Sequence, residues 1–191
     1  GGGGGRAASA TGSGSGSGAA QLRAGALIGG EVDLTTDAPF EWIGGEMNGV
    51  TNRGTLDWHT GTVGSGGFIN DAPESADSGT SPAIGGRSVE GEFRNEGFFR
   101  IAHPITVHPG GSIVTTATST TEFKDVMLGG VDGEPAPRLA LQGTVRHTGS
   151  NITTFGLETD VAADTTVDVQ TGTLVFDEQT TVASSDWSLG D

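Results

Sequence analysis

Chemistry in this chain would have to come from few residues. It has four histidines, His59, His103, His108 and His147, and neither cysteine nor tyrosine. A zinc or iron site on a β scaffold needs several imidazoles and a carboxylate converging on one face. His103 and His108 are five apart, and along one strand an odd separation points them to opposite faces. No His-x-His pair occurs. His103 shares parity with the apolar residues around it and is expected to be a buried, hydrogen-bonded core histidine rather than a ligand. A serine nucleophile would need a strained elbow and a general base. The Gly-Ser-Gly contexts lie in the first 24 residues and at Ser65, and neither resembles a strand-to-helix turn.

The remaining candidates fare no better. Without cysteine there is no disulfide framework, thiolate metal site or thiol nucleophile. Paired carboxylates for glycoside cleavage would sit in a cleft rich in Trp and Tyr, whereas the three tryptophans are scattered. Asp132-Gly133-Glu134 and the stretch Asp71 to Asp77 are weak calcium-like clusters without EF-hand spacing. Asn151-Ile152-Thr153 is a formal glycosylation sequon, relevant only to a chain exposed outside the cell. The glycines at the start lack the Lys and the strand–helix context of a phosphate loop. No catalytic, cofactor-binding or metal residue is assigned, and the expectation is a protein that is not an enzyme. Structural cations are the one cofactor role left open.

The elements that would position any site read as strands. From Phe98 to Thr121, Phe99, Ile101, Ile105 and Val107 fall on one parity and Arg100, Thr106 and His108 on the other. Such alternation marks a strand with one face on a core. His108-Pro109-Gly110-Gly111 has type II turn chemistry, with Pro presetting φ and Gly supplying the positive φ. The β-branched run after it suits a second strand, so a hairpin is expected. Pro104, on the outward parity and lacking a donor, suggests an edge strand or a bulge. Turn signals every 8–12 residues imply about eight to ten strands, hence an all-β jelly roll, β-sandwich or barrel. No repeat of about 20–50 residues is visible, which disfavours propellers and solenoids.

Three segments stand apart. Residues 1–24 read as a Gly/Ser-rich N-terminal arm, held by a neighbouring subunit if it is ordered. Residues 25–182 form the expected β body, and 183–191 a polar tail in which Trp187 and Leu189 dock on something. Within the body, residues 64–86 read as one long loop with a brief strand at Phe68-Ile69; a loop of that length is usually a functional or contact loop.

Charge is the most informative global property. Twenty-four acidic and nine basic residues give a formal net charge of −15, and Lys124 is the only lysine. So acidic a chain repels nucleic acid and anionic membranes. Acid excess, scarce lysine and abundant Thr, Gly, Ala and Val match a halophilic proteome, where salt screens the repulsion between carboxylates. No run of about 18 apolar residues is present to span a bilayer.

Together, the strand-rich body, the halophilic composition and the N-terminal arm resemble the single jelly-roll capsid proteins of haloarchaeal icosahedral viruses with an internal membrane. The resemblance carries no diagnostic motif, so no residue role comes with it. It implies a structural virion protein: an oligomeric shell subunit that packs against copies of itself and other capsid proteins near a viral membrane, without contacting nucleic acid. Dissociation at low ionic strength would follow. A minor capsid, decoration or tail protein belongs to the same class. The alternative is a secreted or cell-surface β-sandwich of a halophile that binds carbohydrate or protein.

Overall fold

A computed structural model describes residues 21–32, 40–71, 76–77, 86–183 and 185–189. Among them, every strand pairing is parallel. One sheet, face I, stacks nine strands in chain order: Gln21–Leu22, Phe40–Trp42, Leu56–Trp58, Ala76–Asp77, Phe98–Ile101, Thr120–Phe123, Thr144–His147, Thr166–Val169 and Asp186–Leu189. The second sheet bends around a corner at Glu46–Asn52. Glu46 and Met47 pair with Gly61–Val63, whereas Val50, Thr51 and Asn52 pair with Phe68–Asn70. Gly49 between them takes φ +70°, a left-handed conformation that costs glycine little. This sheet therefore supplies face II, ending at Thr173–Phe176, and face III, ending at Thr180–Val182. The chain visits I, II and III in turn and then climbs one rung: it is a parallel β-solenoid.

This overturns the jelly-roll or β-sandwich expectation. The strands of a jelly roll pair antiparallel, often through hairpins. Here Phe98–Ile101 lies between Ala76–Asp77 and Thr120–Phe123, each a full rung away. The expected hairpin does not exist. Ile105–Val107 and Ser112–Thr115 belong to faces II and III and pair with other rungs. The turn chemistry itself was read correctly: Gly110 has φ +79° and the Gly111 N–H donates to the His108 carbonyl at 2.8 Å. A type II turn followed by a strand can reverse a chain or merely turn a corner, and local sequence does not distinguish the two. Pro104 likewise lies at the exposed corner between Phe98–Ile101 and Ile105–Val107, where no ladder donor is needed.

The dismissal of solenoids is corrected as well. Rung length varies, from 16 residues between Phe40 and its partner Leu56 to 27 between Met127 and its partner Thr154. Corner insertions absorb the difference and hide the period. The expected 64–86 loop dissolves in the same way: Phe68–Asn70 is a face III strand and Ala76–Asp77 a face I strand. Residues 72–75 and 78–85 lie outside the described residues, as does the arm up to residue 20.

Inward parity was legible. Phe99, Ile101, Ile105 and Val107 are all buried, none more than 1% exposed. The hydrophobic effect drives them inward, at about 1.5–3 kcal/mol for each large side chain fully buried. Because the rungs are in register, like stacks on like. Trp42 and Trp58 stack at 4.7 Å between ring centroids, Phe68 and Phe93 at 5.6 Å, and Phe155 meets its register partner Phe176 edge-on at 5.2 Å.

Polar residues stack inside too. Asn52, Asn70 and Asn95 each end a face III strand and are in register. The Asn52 amide donates to Asn70 Oδ1, and the Asn70 amide to Asn95 Oδ1, both at 2.9 Å. The Asn95 amide donates to Thr121 Oγ1 at 2.8 Å. The ladder also satisfies the corner backbone, through the carbonyls of Gly54, Phe98 and Thr120. Buried polar groups need such partners. Beyond Asn95 the position passes to Thr115, which exchanges hydrogen bonds with the Gln142 backbone at 2.7 Å.

Candidate functional site

Face I presents an in-register array of outward polar side chains. Alternation sends Phe99, Thr121, Val145 and Val167 inward and leaves two outer rows. One row is Phe98, Thr120, Thr144 and Thr166; the other is Arg100, Glu122, Arg146 and Asp168. Parallel in-register pairing brings each member about 4.8 Å from the next along the axis. Arg100 donates to Glu122 at 2.7 Å, and its guanidinium lies 5.9 Å from the centre of the Phe98 ring. Glu122 also accepts from Thr148 Oγ1 at 3.1 Å. Arg146 meets Asp168 at 3.3 Å. The Asp168 carboxyl is held below its ordinary value by the Gln170 amide first, then by Ser188 and Arg146.

Toward the N-terminal end, past the backbone of Asp77, the row continues as Asp57, Glu41 and Gln21 in register. The sequence of charges thus changes character, from the successive acids Glu41 and Asp57 to alternating signs. The Gln21 amide donates to Glu41, and Asp57 contacts His59 Nε2 at 3.1 Å. On face III, Arg94 is held protonated above its ordinary value, mainly by its hydrogen bond to Glu96 and then by the charge of Glu92.

The four histidines do not converge. His59 lies beside Asp57 at a corner. His103 and His108 flank the three-residue strand Ile105–Val107, one at each corner of the same rung, so they never shared a strand. His103 is half-buried, not a core residue as expected. The buried histidine is His147, 1% exposed, with Nδ1 2.6 Å from the Thr171 carbonyl. Ser65 is on an exposed corner. Among the described residues, no three His, Asp or Glu side chains gather to hold a metal. Asp132, Gly133 and Glu134 lie exposed on a corner insertion, and Asp71 pairs with Arg53 at 3.3 Å. Asn151 is exposed and donates to Asp125 at 3.3 Å, while the Thr153 of its sequon is buried and accepts from the Val126 N–H. No described helix is long and apolar enough to cross a membrane.

Three surface hollows cluster around the insertion at residues 131–137, lined by Asp132, Glu134, Glu158, Glu178 and Arg138. Arg138 and Glu158 contact at 3.5 Å, and both are largely exposed. The hollows hold no buried convergent set.

Sequence reasoning missed the two outer rows and the asparagine ladder. The signal was there: Val50-x-Asn52, Phe68-x-Asn70 and Phe93-x-Asn95 repeat one apolar-x-Asn unit. The unequal spacing of 18 and 25 residues concealed it. Comparisons with protein-family models, with curated proteins and with solved structures return no match.

Proposed function

We propose that this chain is a secreted or cell-surface β-solenoid module of a saline environment that binds an extended, hydroxyl-rich polymer along face I, without catalysing a reaction on it. The pair of outer rows carries this. Threonine hydroxyls recur on three successive rungs at Thr120, Thr144 and Thr166, beside the guanidinium–carboxylate pairs Arg100–Glu122 and Arg146–Asp168, which recur every second rung, so a polysaccharide laid along the axis meets a repeating donor–acceptor set. Phe98 offers a stacking surface at one end, and Arg100 and Arg146 offer planar donors suited to paired oxygens. The acidic surface favours a neutral or cationic polymer over a polyanion. The capsid alternative took its architecture from the jelly roll, so the parallel ladder leaves it without that support.

The test is affinity electrophoresis through a panel of neutral and cationic polysaccharides in molar salt. At least one polymer should retard the protein, and Phe98→Ala and Arg146→Ala should each weaken retardation about tenfold, a loss of about 1.4 kcal/mol. Both side chains point outward, so circular dichroism should be unchanged. No retardation by any polymer, or variants that migrate like the parent, would sink the proposal.

A further inference from the structure

We infer that Asn151 carries an N-linked glycan, attached before the rung that holds it closes. The inference rests on the extracellular placement proposed above, because such transfer acts on chains crossing a membrane, and makes no use of face I. The chain has five asparagines, and only Asn151-Ile152-Thr153 completes an Asn-x-Ser/Thr acceptor. The fold separates Asn151 from the other four. Asn52, Asn70 and Asn95 are buried in the amide ladder. Asn48 is half-buried, accepts from the Gly66 N–H at 2.6 Å and donates to Glu46 at 3.1 Å. Asn151 alone is exposed, at the corner between Thr144–His147 of face I and Ile152–Gly156 of face II. Motif and exposure are separate properties, and they fall on the same residue.

The local geometry suits a sugar. The Asn151 backbone is held on both sides: its N–H donates to Asp125 Oδ1 at 2.7 Å, and its carbonyl accepts from the Thr173 N–H at 2.8 Å. The side-chain amide has two N–H groups. One donates to Asp125 Oδ2 at 3.3 Å, and the other is left for substitution. In the transfer, Nδ2 attacks the anomeric carbon of a polyprenyl-phosphate-linked oligosaccharide. The N–C bond forms as the C–O bond to phosphate breaks, the phosphate leaves with that electron pair, and one amide proton is lost. The remaining N–H keeps its bond to Asp125. A glycan rooted here lies beside Ile152 and Met127, 56% and 57% exposed, which face outward on adjacent rungs of face II. Thr153 sets the order of events. It is fully buried, and its hydroxyl accepts from the Val126 N–H at 3.2 Å. Its strand is paired on both sides, with Met127–Gly130 and Thr173–Phe176. A transferring enzyme that reads the threonine hydroxyl therefore reaches it only while that strand is still outside the sheet.

The test begins with the protein isolated from its own cells. Mass spectrometry of the tryptic fragment that follows Arg146 should show a glycan on Asn151. An extracellular protein bare at Asn151 would overturn this inference and leave polymer binding standing; a protein confined inside the cell would overturn both. In a second measurement the full chain is translated in the presence of a solubilised oligosaccharyltransferase and its lipid-linked donor, or folded first in molar salt and then given them. The first order should give a modified product that is lost in Asn151→Gln and Thr153→Val and kept in Thr153→Ser. These variants are read on the nascent chain, so a folding defect does not obscure them. The second order should give at least about tenfold less, since the folded rung exposes the hydroxyl only by local opening. Modification that persists in Asn151→Gln would overturn the site, and equal modification in both orders would overturn the order of events.

Discussion

The two halves of the rod solve the same stacking problem with different side chains. From Phe40 to Phe99 the core is aromatic, with Trp42, Trp58, Phe68, Phe93 and Phe99 in mutual contact. Amides complete its inner corner, and the charged row outside is acidic. From Thr120 to Val169 the core is mainly aliphatic, with Leu139, Leu141, Val145, Leu157, Val161 and Val167 buried. Threonine hydroxyls take over the buried polar positions, and the outer charges alternate. In-register stacking amplifies whatever one rung carries. Like side chains inside gain contact area and linked hydrogen bonds; like charges outside repel. The N-terminal half therefore has the stronger inner ladder and the greater need for salt.

The inner difference gives the largest effects. Trp58→Ala removes a ring stacked between Trp42 and Phe93 and should cost about 3–5 kcal/mol in denaturant unfolding. Val167→Ala, in the other half, should cost clearly less; equal losses would erase the contrast between the two cores. Next is Asn70→Ala, which strands the amide of Asn52 and the carbonyl oxygens of Asn95 and Phe98. About 2–3 kcal/mol is expected, against about 1 kcal/mol for Thr165→Val, whose hydroxyl only donates to the Leu141 and Ala162 carbonyls. A change below about 0.5 kcal/mol at Asn70 would mean the ladder contributes nothing net.

The outer difference gives smaller ones. Transfer from molar to low salt should raise amide hydrogen exchange in residues 40–71 more than in residues 120–169. Asp57→Asn should recover about 0.2–1 kcal/mol of that low-salt loss. Uniform exchange along the rod would refute the charge contrast. The smallest effect is expected at Asp168. Its folded carboxyl lies below the ordinary 3.8, so its contribution is complete above that value and fades as pH falls through the folded value. Asp168→Asn should lower the melting temperature slightly at neutral pH, with the gap closing under acid. A gap that widened on acidification would reverse the sign.

Much of this was legible residue by residue. The parity of Phe99 through Val107, the turn at His108-Pro109-Gly110-Gly111 and the β class all came from local pattern, because pleat alternation and φ preferences act over a few residues. The outer rows on face I were not legible. Phe98 and Thr120, or Arg100 and Glu122, become neighbours only when the register between rungs is fixed, and that depends on corner insertions of unequal length.

The sequence by itself determined which side of each strand faces the core, where the chain turns, and an acidity that demands screening. Those are properties of single strands and of the summed charge. Only the tertiary structure decided that each strand pairs with the one a rung away and not with its neighbour in sequence. Hydrophobic burial is satisfied equally by a sandwich and by a solenoid. What separates them here is the stacking of Trp on Trp, Asn on Asn and Arg on Glu, which exists only once the rungs lie in register.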